Sequence, residues 1–432
     1  MSMRAMKKTG SLVLAAVSAA AVSLAAAPAE SATSGPGASV LAAAAVPVSP
    51  AEVHNYTWFS NKNENHDRLV EHVVRLVDAA PQGATLSLTL YYFDQERVTR
   101  ALERAAGRGV RVRIVVDGYM VEAANVHYRA LKAIRNARVV ECDRRPSGAP
   151  PRRACMSNRI DSESPLTSNP VMHNKFMTIS RVRLAGGGTA RNVLYLASAN
   201  LDGYGAYESA LTMSHAGLYQ DYLAYFNDLM EYGSSGRVNN NYGKTFRAGP
   251  HRVYTFPRRE ARGKKPRSAS NDPIAAMLKS TSCGAAGRTL IQVANFRIGR
   301  KAIAAELVAA RQRGCQVSVV TSDLGLPGPK ALHNGGVQVR ACNKDPEWGK
   351  WTMHEKFLIV RQDQVPTLYV GSQNLTYRGL RQNDEAVLSL YNHPLAQPYQ
   401  ARFNFLYQEC KVWTPRPGTA SAGEAVDTGR AG

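Results

Sequence analysis

The stretch Met172-His173-Asn174-Lys175-Phe176 returns as Met353-His354-Glu355-Lys356-Phe357, at an offset of 354 − 173 = 181 residues. One His-x-Lys triplet would carry little weight, because patterns that short arise by chance. Here each copy has the same sequel. LYLASANL at 194–201 is matched by LYVGSQNL at 368–375, and each is followed by an acid that opens an alternating run, Glu208-Ser-Ala-Leu-Thr-Met and Glu385-Ala-Val-Leu-Ser-Leu. Shared neighbours on this scale point to a duplicated unit.

The residues upstream repeat as well. TLSLTLYYF (85–93), QERVTRALERAAGRG (95–109) and VRVRIVVDG (110–118) are matched by TLIQVANF (289–296), GRKAIAAELVAARQRG (299–314) and CQVSVVTSD (315–323). Apolar residues at helical spacing lie between short runs rich in Val and Ile, which predicts a βαβ unit and a parallel sheet buried on both faces. The expected fold class is therefore α/β in two halves, residues 55–233 and 273–412, joined by a basic linker over 234–272 and followed by a tail at 413–432. Within the linker, VYTFP (253–257) is a candidate strand. The βαβ units are offset by about 205 residues against 181 for the motifs, so the first half holds roughly 24 extra residues, including the basic segment RRPSGAPPRRACMSNRI at 144–160. Tyr219, Tyr222, Tyr225 and Phe226 fall at helical spacing and predict a helix buried against the first sheet.

The chain has 432 residues, with 54 Lys+Arg against 33 Asp+Glu, a formal charge of +21. A surplus of that size implies an anionic partner: nucleic acid, an anionic membrane surface or a phosphate-bearing substrate. A hydrophobic content of 44% excludes wholesale disorder and a fibrous repeat. Arg4, Lys7 and Lys8 precede an apolar run from Ser11 to Ala27 that meets small residues at Ala27-Pro28-Ala29, the pattern of a secretory signal cleaved after Ala29 or Ala32. The run is Ala-rich and barely long enough to span a bilayer, which disfavours a membrane anchor. Residues 1–29 are expected to be removed, leaving 21 − 3 = +18, and residues 30–54 to form a loose leader. The mature chain is expected to be exported. In an oxidising compartment six cysteines favour disulfides, and the absence of any CxxC spacing argues against zinc. Of the 15 possible connectivities, the preferred one joins Cys142 to Cys155, Cys283 to Cys315 and, by elimination, Cys342 to Cys410.

On a strand, residues i and i+2 share a face, so His173 points with Lys175 and His354 with Lys356. Ser198 with Asn200 and Ser372 with Asn374 form a second pair of this kind on a neighbouring strand. If the halves pack with pseudo-two-fold symmetry, all eight residues converge on one cleft. That set suits a phosphodiester. Ammonium and amide donors hold the non-bridging oxygens, one neutral imidazole attacks phosphorus, and the other, protonated, donates to the leaving oxygen. No metal or other cofactor is needed for such a reaction.

The doubled His-x-Lys with downstream Ser-x-Asn resembles the phospholipase D superfamily, over roughly residues 55–410. The resemblance implies two phospholipase D-like α-β-α sandwich halves around one active-site cleft. It implies His173 and His354 as nucleophile and general acid/base, in an order left open. Lys175, Lys356, Asn200 and Asn374 match phosphate-binding positions, Ser198 and Ser372 support them, and Glu208 and Glu385 sit where the family places acids that orient the imidazoles. The sequence departs from the pattern at the motif aspartate, replaced by Ser180 and Arg361, and at Ala197, where the family has Gly. Asp363 lies two residues past the expected position and is read as a turn residue. In the family that aspartate supports the motif strand, so its loss reads as a variant subfamily.

Three readings follow. The first is a secreted, metal-independent phospholipase D-type enzyme that cleaves or transfers the head group of glycerophospholipids at an anionic or zwitterionic membrane surface, acting as a monomer. The second is a secreted nuclease of the same superfamily; the third is a silent phosphate- or membrane-binding relative. Tyr91, Tyr92, Phe93, Asn295 and Phe296 end the first strand of each half, the edge where open α/β sheets bind ligands, and are read as either cleft lining or core. Trp348 and Trp351 are read as either an apolar lip or a loop anchor. RREARGKKPR (258–267) is read as solvated linker. His54, His66, His72, His127, His215, His251, His333 and His393 are read as structural.

Overall fold

The alternating and helical patterns form the elements they predict. In the computed structural model, residues 47–62, 64, 66–122, 125–143, 153–160, 169–203, 205–264, 268–284, 288–342 and 352–415 are described. The expected signal segment, most of the leader, Trp348, Trp351, positions 144–152 and 265–267 and most of the tail lie outside them. Among the described residues no helix is long and apolar enough to cross a membrane.

The first half runs β1 (Tyr56–Phe59), α1 (Asp67–Asp78), β2 (Thr85–Leu90), α2 (Glu96–Gly107), β3 (Arg111–Val116), α3 (Gly118–Glu122), α4 (Val126–Ala133), β4 (Arg138–Glu141), β5 (Phe176–Arg183), β6 (Thr189–Ala197), β7 (Ser209–Ser214) and α5 (Ala216–Ser235). The second runs β8 (Thr245–Ala248), β9 (His251–Phe256), α6 (Pro273–Ser280), β10 (Thr289–Asn295), α7 (Lys301–Gln312), β11 (Gln316–Thr321), α8 (Pro327–Asn334), β12 (Gln338–Ala341), β13 (Lys356–Gln362), β14 (Val365–Gly371), α9 (Tyr377–Arg381), β15 (Glu385–Tyr391), α10 (Ala396–Glu409) and β16 (Lys411–Val412). Sheet orders are β1-β7-β6-β5-β2-β3-β4 and β16-β12-β11-β10-β13-β14-β15-β9-β8. Read from opposite ends, the first seven-strand order recurs inside the second, with β9 in the place of β1.

Two expectations need correction. The sheets are mixed and not parallel throughout. The βαβ crossovers make β2, β3 and β4 parallel, as they do β10, β11 and β12. β5, β6 and β7 follow one another through connections without a crossover helix and pair antiparallel, as do β13, β14 and β15. The second correction concerns the linker. Residues 245–256 form the β8–β9 hairpin, and β9 pairs with β15 from Glu385↔Phe256 to Ser389↔Arg252. The second half therefore begins at 245. The alternating burial of HRVYTF, with His251, Val253 and Thr255 turned inward, explains why a segment surrounded by basic residues still pairs. The start of the RREARGKKPR segment, Arg258 and Arg259, is also held in place. The fully buried Arg381 guanidinium donates to the carbonyls of Arg258, Arg259, Ser268 and Ser270.

Apolar periodicity decides the layers. Leu69, Val70, Val73, Leu76 and Val77 of α1 pack with α2 under the first sheet, and Ile274 and Leu278 of α6 with Ile303 and Leu307 of α7 under the second. Between the sheets lies one shared core. Tyr222, Tyr225 and Phe226 of α5 meet Phe176, Leu194 and Leu211 there, while Tyr399 and Phe403 of α10 meet Phe357, Leu368 and Leu388. All three disulfides have the preferred pairing: Cys142–Cys155, Cys283–Cys315 and Cys342–Cys410. Cys142 and Cys342 occupy matching places, each just after the third parallel strand of its sheet.

Candidate active site

Both motifs sit at the entrance of a strand, not within it. β5 begins at Phe176 and β13 at Lys356, and the residues before them turn their backbone to the other half. The His173 N–H donates to the Asp384 carbonyl (3.0 Å) and the Asp384 N–H to the Val171 carbonyl (3.0 Å). Symmetrically, the His354 N–H donates to Tyr207 (2.9 Å) and the Tyr207 N–H to Thr352 (2.8 Å). These two short parallel bridges sew the halves together at the histidines.

The side chains repeat the crossing. His173 Nδ1 lies 3.0 Å from Glu385 Oε2, and His354 Nδ1 bonds Glu208 Oε1. Each half thus supplies the acid that orients the other half's imidazole, and a carboxylate accepting the Nδ1 proton makes Nε2 the nitrogen that carries the lone pair. Lys175 and Lys356 are buried, and each Nζ donates to the carbonyl of its own motif histidine, at 2.9 and 2.8 Å. Their charges act on each other and on both histidines.

Aromatic rings close the site in both halves. Tyr91 meets the His173 ring edge-on at 4.9 Å and lies 4.9 Å from Lys175 Nζ. Phe296 meets His354 at 5.0 Å and lies 5.7 Å from Lys356 Nζ. Of the five strand-end residues, these two line the site. Phe93 joins the core below α2, Tyr92 packs near Tyr119, and the Asn295 amide serves the backbone, accepting from Arg297 and Leu375 and donating to Gln373.

Asn200 and Asn374 follow β6 and β14, both nearly buried. Asn200 Nδ2 lies 3.4 Å from Asp202 Oδ2, and Asn374 Oδ1 makes no hydrogen bond among the described residues. The two serines bond within the protein. Ser198 Oγ accepts the Ser209 N–H at 2.9 Å and lies 3.3 Å from the Ser209 carbonyl, while Ser372 Oγ accepts the Ala386 N–H and donates to Glu385. Their hydroxyls are spent tying the sheet and, for Ser372, holding the orienting carboxylate. The motif-aspartate positions are structural as well. Ser180 Oγ accepts the Thr85 N–H at 2.9 Å, Arg361 lies in β13, and Asp363 occupies the β13–β14 turn with φ +45°.

Charge states divide the two crossed pairs. Burial lowers His173 to about 4, against the pull of Glu385, and lowers His354 well below the usual imidazole value with the help of both lysines. Burial also pulls Lys175 down to about 8 and Lys356 far below the ordinary ammonium value. Burial raises Glu385 too, but His173, the Ser372 hydroxyl and Lys175 outweigh it and leave the carboxyl below its usual range. Glu208 goes the other way: burial, with Asp202 and Glu355 nearby, holds it well above that range despite Lys356 and Lys175.

Sequence reasoning missed His66. It is buried between Glu208 (Nε2 to Oε2, 3.5 Å) and Asp202 (Nδ1 to Oδ1, 3.6 Å). Nothing local marks it, since its partners lie far along the chain, in the β6–β7 connection.

A family profile described as "Cardiolipin synthase, PLD-like domain" matches residues 74–230 and 283–407, one stretch in each half. The search of curated proteins gives no match. Among solved structures, the chain is similar to phosphatidylserine synthase of Haemophilus influenzae, at 12% identity and TM-score 0.53 over 85% of this chain and 89% of that one. It is also similar to the polyphosphate kinase of Porphyromonas gingivalis, at 13% identity and TM-score 0.52 over 85% of this chain, and spans about half the length of that enzyme, 53%. The phospholipase D family member Nuc of Salmonella typhimurium aligns at 22% identity over 38% of this chain and 99% of its own, with TM-score 0.29.

Proposed function

This chain belongs to the PLD-like domain family of the phospholipase D superfamily, and we propose that it is a secreted enzyme that cleaves or transfers the head group of a glycerophospholipid through a phosphohistidine. The observation that carries the reading is the crossed pair of buried imidazole–carboxylate contacts beside two buried lysines. The family description, which names cardiolipin synthase, and the apolar N-terminal segment support lipid and export respectively.

The asymmetry of the carboxylates supports one order for the two histidines. His173, whose Nδ1 proton is held by the ionised Glu385, is the nucleophile. Its Nε2 lone pair attacks phosphorus, the P–O bond to the leaving group breaks, and protonated His354 gives its proton to the departing oxygen. Lys175, Lys356 and the Asn200 and Asn374 amides hold the non-bridging oxygens, where charge grows in the transition state. An anion there also reverses the mutual repulsion of the cationic groups and raises the proton affinity of His354. In the second step His354 removes a proton from water or an alcohol, whose oxygen displaces Nε2 of His173 from phosphorus.

Choline or ethanolamine release from phospholipid vesicles, measured in EDTA beside plasmid nicking, tests the proposal. Head-group release that disappears in H173A and H354A supports it. DNA cleavage without lipid turnover replaces it with the nuclease reading, which the surplus of 54 basic over 33 acidic residues favours.

A further inference from the structure

His66 stands at the N-cap of α1 and is only 2% exposed. Its ring is clamped from every side. Trp58 of β1 meets it edge-on at 5.5 Å, Glu208 faces Nε2 at 3.5 Å, and Asp202 faces Nδ1 at 3.6 Å. Asp94, after β2, adds a further negative charge, and the backbone of Asn200 and Asp202 lies beside the ring. Glu208 in turn holds His354, and Asp202 lies 3.4 Å from the Asn200 amide. One imidazole therefore touches the supports of two site residues. Among the described residues the second half shows no counterpart: its first helix, α6, is capped by Asp272, which lies 3.2 Å from Arg300.

We propose that His66 is a positioning residue that relays the charge of Asp202 to Glu208 and thereby sets the proton affinity of His354. The contacts fix a direction for the relay. His354 Nδ1–H donates to Glu208 Oε1, while Glu208 Oε2 approaches His66 Nε2 to 3.5 Å and Asp202 Oδ1 approaches His66 Nδ1 to 3.6 Å, near enough for charge to be felt though longer than hydrogen bonds. Burial lowers His66 to about 4, so its neutral form, with one nitrogen accepting and one donating, is the one present near neutral pH. Moving a proton from Glu208 to His66 leaves Glu208 anionic at the moment His354 must carry a proton, with Asp202 balancing the new imidazolium. The relay serves the general-acid half of the reaction alone, which gives the two crossed pairs different work.

The inference rests on the phosphodiester reading for its kinetic arm only; the titration of His354, followed by imidazole 15N NMR, needs no turnover. The variants H66Q, H66N and H66F separate the contacts, because a Gln amide nitrogen at the place of Nε2 donates to Glu208 and favours its anion as the imidazolium would, whereas an Asn amide nitrogen reaches only the place of Nδ1. In H66N and H66F the His354 midpoint should fall by about one pH unit, and the alkaline limb of kcat should move down with it, since a general acid works only while protonated. kcat should drop roughly tenfold at pH 7.5 with KM within about twofold. H66Q should keep most of the His354 midpoint, and in an E208Q background H66N should change nothing further. A His354 midpoint unmoved in H66N, or moved equally in the E208Q background, overturns the relay. Should H66F fail to fold, H66Q against H66N still decides. If the midpoint moves but neither lipid nor DNA is turned over by the wild type, the functional reading fails and the relay stands; turnover with an unmoved midpoint is the reverse.

Discussion

Between its histidine and its lysine the first half carries Asn174 and the second Glu355, and the layers beneath differ accordingly. Asn174 Nδ2 donates to Tyr225 Oη of α5 (3.0 Å) and to the Asp384 carbonyl (2.9 Å), a neutral arrangement. Glu355 accepts from Arg402 Nε of α10 (2.8 Å) and from the Ser209 hydroxyl (2.6 Å), a buried ion pair. Above this layer the residues proposed to carry the reaction are of the same types in both halves: His, Lys, Asn and an orienting Glu. The proposed chemistry, with its two imidazoles and two ammonium groups, would fix those residue types. The support below is free to differ, and the two solutions are not equally complete: both Glu355 oxygens are engaged, whereas Asn174 Oδ1 makes no hydrogen bond among the described residues.

The comparison can be broken most severely at the histidines. H173A and H354A should each lower kcat by roughly 10³-fold or more in head-group release, and activity near wild type in either would mean the halves do not share a site. Next come the orienting acids. E385Q should cost roughly 10²-fold in kcat, against roughly tenfold for E208Q, because Glu385 is the carboxylate held ionised and Glu208 the one raised. Equal losses would erase the division of labour between the pairs. The layer beneath is tested by stability. R402M strands the buried Glu355 charge and should destabilise by about 3–5 kcal/mol in urea unfolding, whereas N174A, which unpairs neutral groups, should cost about 1–3.

The smallest effect is on pH. His66, His72 and His393 are each lowered to about 4 by burial, from 6.5. A depressed folded-state value means the unfolded chain takes up protons first, so stability is complete above about pH 6.5 and lost as pH falls toward 4. Thermal midpoints should decline over that window, and H393Q should flatten the decline slightly. His393 and His251 of the second half and His215 of the first form a row of rings there, 5.3 and 5.6 Å apart.

The sequence shows the duplication because two motifs with the same flanks cannot be read otherwise, and it shows the site because paired His-x-Lys leaves few chemical options. What it could not show was the crossing. Which carboxylate meets which imidazole depends on how two sheets dock, and Glu208 and Glu385 each lie near their own histidine in sequence and bond the other. The β8–β9 hairpin escaped for a different reason: short strands amid Arg, Lys and Asn resemble a linker until β15 offers an edge to pair with. Ser198 and Ser372 showed the right spacing, yet spacing does not say whether a hydroxyl faces a cleft or a neighbouring strand.

Because each orienting carboxylate is lent across the boundary, an isolated half would own an imidazole without its acid and an acid without its imidazole. The loan does not specify that lender and borrower be on one chain. Two molecules trading their second halves would rebuild two complete sites, and mixing an H173A chain with an H354A chain under conditions that permit such trading would restore activity from two inactive parents.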